Sequence, residues 1–357
     1  MKQRIQAIRQ AMKTYGIEAM FINNMANVRY LSGFTEDKAT IYLSNNRACF
    51  VIRIGYKIQV ERKHKDFDYL IYDYPYPTLG ERVAELVAAD KVKALHFEKD
   101  SLSWGDHQEL SHCVKAELVP MSGVIEEVRS TKNADEVQLM RTAAEITDAA
   151  FADIIKNIKP GISELEIDAQ LTALIRQYGA EGTAFNNIIA SGENIMVMHA
   201  APTERRLQNG DMVILDFGAK YKGYCMDMTR TLIIGKASEK QREIYNLENK
   251  AVDDALKVLK TGAAAADVAK AGKARITSAG YGNYFRHGVG HGVGVEVHES
   301  PKFIENSKEI VPENCVATLE PGFYIPNIGG VRIEDTFLVT KDGAKSFLKT
   351  SRELIEL

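Results

Sequence analysis

Residues 287–299 read HGVGHGVGVEVHE, with three histidines and four glycines in thirteen positions. This run limits what the chain can fold into more than any other part of it. Glycine in a strand-like stretch weakens the strand and gives nothing to pack. It persists where another backbone or a bound group must come close. Histidine is the commonest protein ligand for metals and a frequent acid or base. A run mixing the two is expected to line a metal-binding cavity, provided the rest of the chain brings acidic ligands to it.

Such acids occur in two symmetric pairs. In DMVILDFGAKYKGYCMDMTRTLII (211–234), two β-rich segments flank the turn-like KYKG at 220–223, which reads as a hairpin. Asp216 and Asp227 lie symmetrically about the point between Tyr221 and Lys222, so the spacing predicts that they face each other across the strands. In ATLEPGFYIPNIGGVRIEDTFLV (317–339), Glu320 and Glu334 lie symmetrically about Asn327, within a loop that contains Pro326, Gly329 and Gly330. Carboxylates paired on one face repel unless a cation lies between them. The plain alternative is solvated surface acids. Against it, VILDFG leads an apolar strand directly into Asp216, and an acid at the end of a buried strand is rarely unpaired. Four carboxylates and one imidazole suit a pair of hard or borderline divalent ions such as Mn2+ or Co2+, with Zn2+ an alternative. The set lacks the thiolates of a structural zinc site.

The 357 residues exceed what one core usually serves, so two domains are expected. In the first third, helix and strand signals alternate: an amphipathic helix at 5–15, a short buried strand at 19–23, NVRYLSGF at 27–34, TIYLS at 40–44, ACFVIRI at 48–54, a helix at 78–89 and a strand end at 95–100. This is an α/β pattern. The texture changes near Pro120. One long helical stretch is expected over 123–157, broken by KPGIS, after which Ser163 and Glu166 form a capping box for the next helix. Strands with glycine-containing turns follow, with helices near 237–260 and 264–280. The expectation is an α/β domain over 1–122 and an α+β, mostly antiparallel domain over 123–357.

A net charge of −3 gives no electrostatic reason to expect nucleic acid or an anionic membrane, and no apolar run is long enough to span a bilayer. Arg4, Arg9 and Lys13 interrupt any signal-peptide core. The four cysteines are scattered and form no CxxC pair, which points to the reducing cytoplasm. His64, His96, His107 and His112 have no carboxylate cluster around them and read as ordinary surface or packing residues.

LDFGAKYKGYCMDMTRT, HGVGHGVGVEVHE, LEPGFY and GGVRIEDT, taken in this order and spacing, resemble the metal motifs of the pita-bread metallopeptidases. That family comprises proline dipeptidase, Xaa-Pro aminopeptidase and, more distantly, methionine aminopeptidase. NVRYLSGF resembles part of their creatinase-like N-terminal domain, and IEEVRSTKNADEVQLMRTAAEITDAAF the segment that opens their catalytic domain. The resemblance covers nearly the whole chain. It implies a creatinase-like domain followed by a pita-bread catalytic domain that cleaves short proline-containing peptides, and a homodimer. It further implies that Asp216, Asp227, His291, Glu320 and Glu334 hold two divalent ions, with Asp227 and Glu334 bridging. His298 would face the substrate, and His199, in MHAAP, matches a family histidine near it. His287 receives no role.

The chemistry expected of such a site is attack by an ionised water on a peptide carbonyl. His298 would assist the oxyanion, and Glu320 would pass a proton to the leaving nitrogen. Arg332 shares a strand face with Glu334 by the period of two. It is expected either to meet the substrate's carboxylate end or to orient a catalytic side chain, the structural reading being an ion pair with Glu334 or Asp335. His199 also fits a simple loop histidine, and His298 a satisfied core histidine. Seven residues separate His291 from His298, so a regular strand would send them to opposite faces, and a bulge or loop is required.

The chain departs from the family at SGENIMVMH, where Glu193, Met196 and Met198 would alter the rim of the substrate pocket, and at RIGY (53–56). Dipeptidase and aminopeptidase differ in whether the pocket ends just past the proline. A metal-free creatinase-like hydrolase and a catalytically silent binding protein of the same fold are the competing classes, and the intact set of five ligands argues against both.

Overall fold

The structure is a computed structural model that describes residues 1–357. The chain forms two compact units, Met1–Arg129 and Ser130–Leu357.

The first unit is built on a six-stranded mixed sheet. Its spatial order is Asp68–Tyr72, Ala48–Arg53, Thr40–Ser44, Ala19–Ile22, Ala94–Glu98 and Glu117–Met121. The opening helix, Lys2–Tyr15, buries Ile5, Ile8 and Met12 at helical spacing and stops at Gly16 in the left-handed conformation. NVRYLSGF is mostly helical, within Met25–Ser32. Asn24 caps that helix by accepting the Ala26 and Asn27 N–H groups. The helix Leu79–Asp90 begins with a capping box between Thr78 and Glu81. A polar knot closes this unit. Glu98 accepts the N–H groups of Asn23 and Asn24, at 2.7 and 2.6 Å, and the amide of Asn27 at 2.5 Å. Asn27 also donates to Glu126 and accepts from Arg129, both at 2.6 Å. These bonds tie the helix Val124–Ser130 to the first unit, whose last residue, Arg129, lies in the final turn of that helix.

The sequence pattern predicts one helix over 123–157, but two form. Val124–Ser130 ends, and Ala134–Ile154 starts afresh because Asn133 and Glu136 make a capping box within the polar stretch RSTKNADE. Ser163 and Glu166 make the expected box at the head of Glu164–Gln177.

In the second unit, a four-stranded sheet carries Met212–Phe217 and Met228–Ile233 at its centre, and a five-stranded sheet carries Gly290–Gly292, Val316–Leu319 and Asp335–Thr340. All pairings but one, Met228–Ile233 with Ile355–Glu356, are antiparallel. The helices Glu239–Val258 and Ala265–Ser278 pack on each other. A bridge between Thr229 and Glu334 links the strand systems, with the Glu334 N–H on the Thr229 carbonyl at 3.0 Å. Beneath it Arg230 is almost wholly buried. It pairs with Asp335 at 2.7 Å and donates to the carbonyls of Thr229, Glu334, Thr350 and Ser351. These hydrogen bonds offset part of the cost of burying the guanidinium and tie the strand systems to the C-terminal segment.

Candidate metal centre and active site

Each acidic pair is delivered by a return of the chain. In the first, Lys220 faces Cys225 and Tyr221 faces Tyr224. Lys222 and Gly223 remain as a two-residue turn with φ of 45° and 85°, the geometry that suits the twist of paired strands. The centre of the hairpin thus lies one residue later than the symmetry of the aspartates predicts. Asp216 pairs with Thr229, and Asp227 is a diagonal neighbour instead of an opposed one. In the second return, Leu319 pairs with Asp335 and Gly322 with Arg332 in one continuous register, which sets Glu320 opposite Glu334 as expected.

The glycines of 287–299 are explained by close backbone contact. A Cβ on Gly290 would lie 2.1 Å from the Thr318 carbonyl oxygen, and one on Gly292 2.1 Å from that of Ser300. The odd spacing of His291 and His298 is resolved by a bulge at His291–Gly292 and a loop up to Glu299. The two rings meet edge to face, with centroids 4.4 Å apart.

Asp216, Asp227, His291, Glu320, Glu334, Arg332, His298 and His199 all line one cavity of about 850 Å3, at the large end of the range for ligand pockets. Ligand atoms of Asp227, His291 and Glu334 lie within 4.8 Å of one another, a cluster able to hold a metal ion. His291 donates from Nδ1 to the Gly292 carbonyl at 3.0 Å, which turns Nε2 toward the acids: 3.3 Å to Glu320 and 3.7 Å to Asp227. Thr229 donates to Glu334 Oε2 at 2.7 Å, and Arg332 to Asp216 Oδ2 at 2.5 Å.

Whether a cation fits is answered by the atoms left over. Asp216 Oδ1, Asp227 Oδ1 and Glu334 Oε1 are buried without any hydrogen-bond partner. Burial, followed by the repulsion of neighbouring carboxylates, pushes Asp227 and Glu334 well above the usual carboxylate range. Burial raises Asp216 too, against the pull of Arg332. Burial is the largest single influence on Glu320 and His291 and opposes charge on both, but their mutual hydrogen bond and the attraction of nearby opposite charges together outweigh it, bringing Glu320 down to about 2 and His291 up to about 9. The metal-free chain thus keeps a proton where the donor set would take a cation, and hard oxygen ligands with one imidazole match divalent ions.

Arg332 does not pair with Glu334 or Asp335. Its bonds go to Asp216, to the Tyr324 hydroxyl and, at 3.4 Å, to Thr229, which is an orienting arrangement. The Tyr324 hydroxyl lies 3.4 Å from Nε2 of His287, and His287 lines the cavity. His287, Tyr324 and Thr229 were not legible as site residues. His287 opens the histidine-glycine run, and Thr229 follows two positions after Asp227, at the start of the strand Met228–Ile233. At the departing segment, Met198 reaches the cavity wall, whereas Glu193 and Met196 do not line it.

A cavity floored by buried carboxylates and an imidazole, on paired antiparallel strands, defines a metal-dependent hydrolase. The comparisons specify which. Residues 138–341 match metallopeptidase family M24, and residues 4–131 the creatinase/prolidase N-terminal domain. The chain belongs to metallopeptidase family M24 and is a metal-dependent peptidase. It is 35% identical over 366 residues to the Xaa-Pro dipeptidase of Pyrococcus horikoshii, covering 99% of both chains. Among solved structures, it resembles an Xaa-Pro dipeptidase from Bacillus anthracis with a TM-score of 0.95 and 35% identity, over 100% of this chain and 99% of that one. It also resembles an X-Pro aminopeptidase from Thermotoga maritima, with a TM-score of 0.88 and 29% identity over 98% and 100%.

Proposed function

We propose that this chain is an Xaa-Pro dipeptidase that works with two divalent ions, Mn2+ foremost, held by Asp216, Asp227, His291, Glu320 and Glu334. The reading is carried by buried carboxylate oxygens without partners on Asp216, Asp227 and Glu334, two of these residues forming with His291 a cluster able to hold a metal ion. When bound, the ions would supply an ionisable water at neutral pH and Lewis-acid polarisation of the scissile carbonyl.

The chain's own groups do the rest. Glu320, held to His291 yet partly open to the cavity, accepts the proton of the attacking water and delivers it to the leaving nitrogen. That nitrogen belongs to proline and has no N–H of its own before cleavage. Burial, and then the nearby His291, hold His298 below the usual imidazole range, so it works as a neutral N–H donor to the oxygen that becomes negative. Arg332, anchored on Tyr324, keeps Asp216 in place. The likeness to dipeptidases over the full length supports a dipeptide substrate. Four free cysteines are in keeping with a reducing cytoplasm, and a homodimer is carried over from the resemblance.

The test is a side-by-side assay of Ala-Pro and Ala-Pro-Ala with and without added Mn2+. Mn2+-dependent cleavage of the dipeptide with little of the tripeptide is expected. The opposite preference would make the chain an aminopeptidase, and no cleavage of either would end the Xaa-Pro reading.

A further inference from the structure

One wall of the cavity lies apart from the metal cluster and carries a carboxylate that the mechanism leaves unused. Asp168 and Thr172 stand one turn apart on the helix Glu164–Gln177, so their side chains share a face. Both line the cavity, together with Phe185, Asn187 and Ile188. Asn187 donates from Nδ2 to Asp168 Oδ1 at 2.8 Å and to Thr172 Oγ1 at 3.1 Å. With the amide nitrogen between two acceptors, the orientation of Asn187 is fixed, and its Oδ1 is left buried without a partner. Asp168 is half-buried, and its second oxygen has no protein partner. This corner is short of donors and rich in acceptors.

No arginine or lysine of the cavity wall pairs with Asp168. Arg332 is the one arginine there, no lysine is present, and the bonds of Arg332 run to Asp216, Tyr324 and Thr229. The corner is also close to the reacting centre. Ile188, next to Asn187, pairs with Asp216, and paired strands lie roughly 5 Å apart. The main chain of a bound dipeptide would lie at the carboxylate cluster, so what reaches Asp168 is a side chain. Phe185 and Ile188 give an apolar flank for a long aliphatic stem whose charged end stays at the polar tip.

We infer that Asp168, with Thr172 and Asn187, is a subsite for a basic side chain, lysine or arginine, on the residue that precedes the scissile bond. This inference rests on the Xaa-Pro reading and adds the substrate class within it.

The test is kcat/KM for Lys-Pro, norleucyl-Pro and Glu-Pro with the Mn2+-loaded enzyme. Norleucine keeps the stem of lysine and lacks its charge. The expected ratio of Lys-Pro to norleucyl-Pro is about fivefold, with Glu-Pro the poorest, and 0.5 M NaCl lowers the ratio. Asp168→Asn brings the ratio to about one, Asp168→Glu keeps it above one, and Asp168→Lys reverses the order in favour of Glu-Pro. A ratio of one or less in the wild-type enzyme, which requires no variant to fold, overturns the subsite while cleavage of norleucyl-Pro leaves the Xaa-Pro reading standing. So does a ratio unchanged in Asp168→Asn. Cleavage of none of the three overturns that reading and the subsite with it.

Discussion

Arg332 donates to Asp216 at 2.5 Å, and both side chains are buried. It is the guanidinium that stands among Asp216, Asp227, Glu320 and Glu334 on the cavity wall, and it is anchored on the far side by the Tyr324 hydroxyl. Lysine has neither the planar fork nor the reach to hold three acceptors at once. Arg332→Lys is expected to lower kcat by roughly 10–100-fold, the usual cost of losing a residue that orients a ligand. Metal content, read by atomic emission beside kcat, separates misplacement of Asp216 from loss of the ions. Full activity in the variant would remove Arg332 from the site.

Metal removal is the second prediction. Unpartnered oxygens on Asp216, Asp227 and Glu334 leave the cluster repulsive when no cation is bound. Chelation is expected to abolish turnover and lower the melting temperature, and Mn2+ is expected to restore both, because an ion bound only by the folded chain stabilises it. Asp227→Asn should bind less metal than the wild type and show no turnover at any Mn2+ concentration. A metal-to-protein ratio of one at full activity would exclude the two-ion arrangement.

His298→Ala tests the oxyanion donor. The ring stands on the cavity wall, edge-on to His291. A fall in kcat of roughly 100-fold with little change in KM or melting temperature is expected. A rise in KM with kcat unchanged would point to substrate binding alone.

A fourth prediction concerns the first unit and pH. Burial raises Glu98 to about 7, despite the donors of Asn24, Asn27 and Asn23. The folded chain therefore keeps this proton up to about pH 7, whereas the unfolded chain releases it near 4.5. The stability Glu98 contributes is complete below about pH 4.5 and is lost as pH rises to about 7, a difference of about 3 kcal/mol. Hydrogen exchange in the strand Ala94–Glu98 should be faster at pH 8 than at pH 5 after correction for intrinsic rates. Glu98→Gln, which imitates the protonated acid, should flatten the difference.

Much of this molecule can be read from residue order, and what cannot has a common cause. Glu320 and Glu334 meet as their symmetry implies, because one register runs unbroken through both flanking ladders. The aspartate pair is offset because a Lys-Gly turn admits positive φ at both positions, a choice that the symmetry of the acids does not encode. The break before Ala134 falls in the polar stretch RSTKNADE, which a helix surface also tolerates, and the Asn133–Glu136 box marks it. Asn187 and Asp168 reach the cavity, and Tyr324 reaches His287 on its wall, from separate elements, and no local spacing foretells such meetings.

The turn at Lys222–Gly223 acts as a ruler. It touches no ligand, yet its length fixes the phase in which Asp227 arrives beside Asp216. One residue more or fewer there would swing the second acid out of the cavity and silence the peptidase with every ligand still present in the sequence. When homologous chains are compared, the length of this loop is thus as informative about competence as the acids themselves.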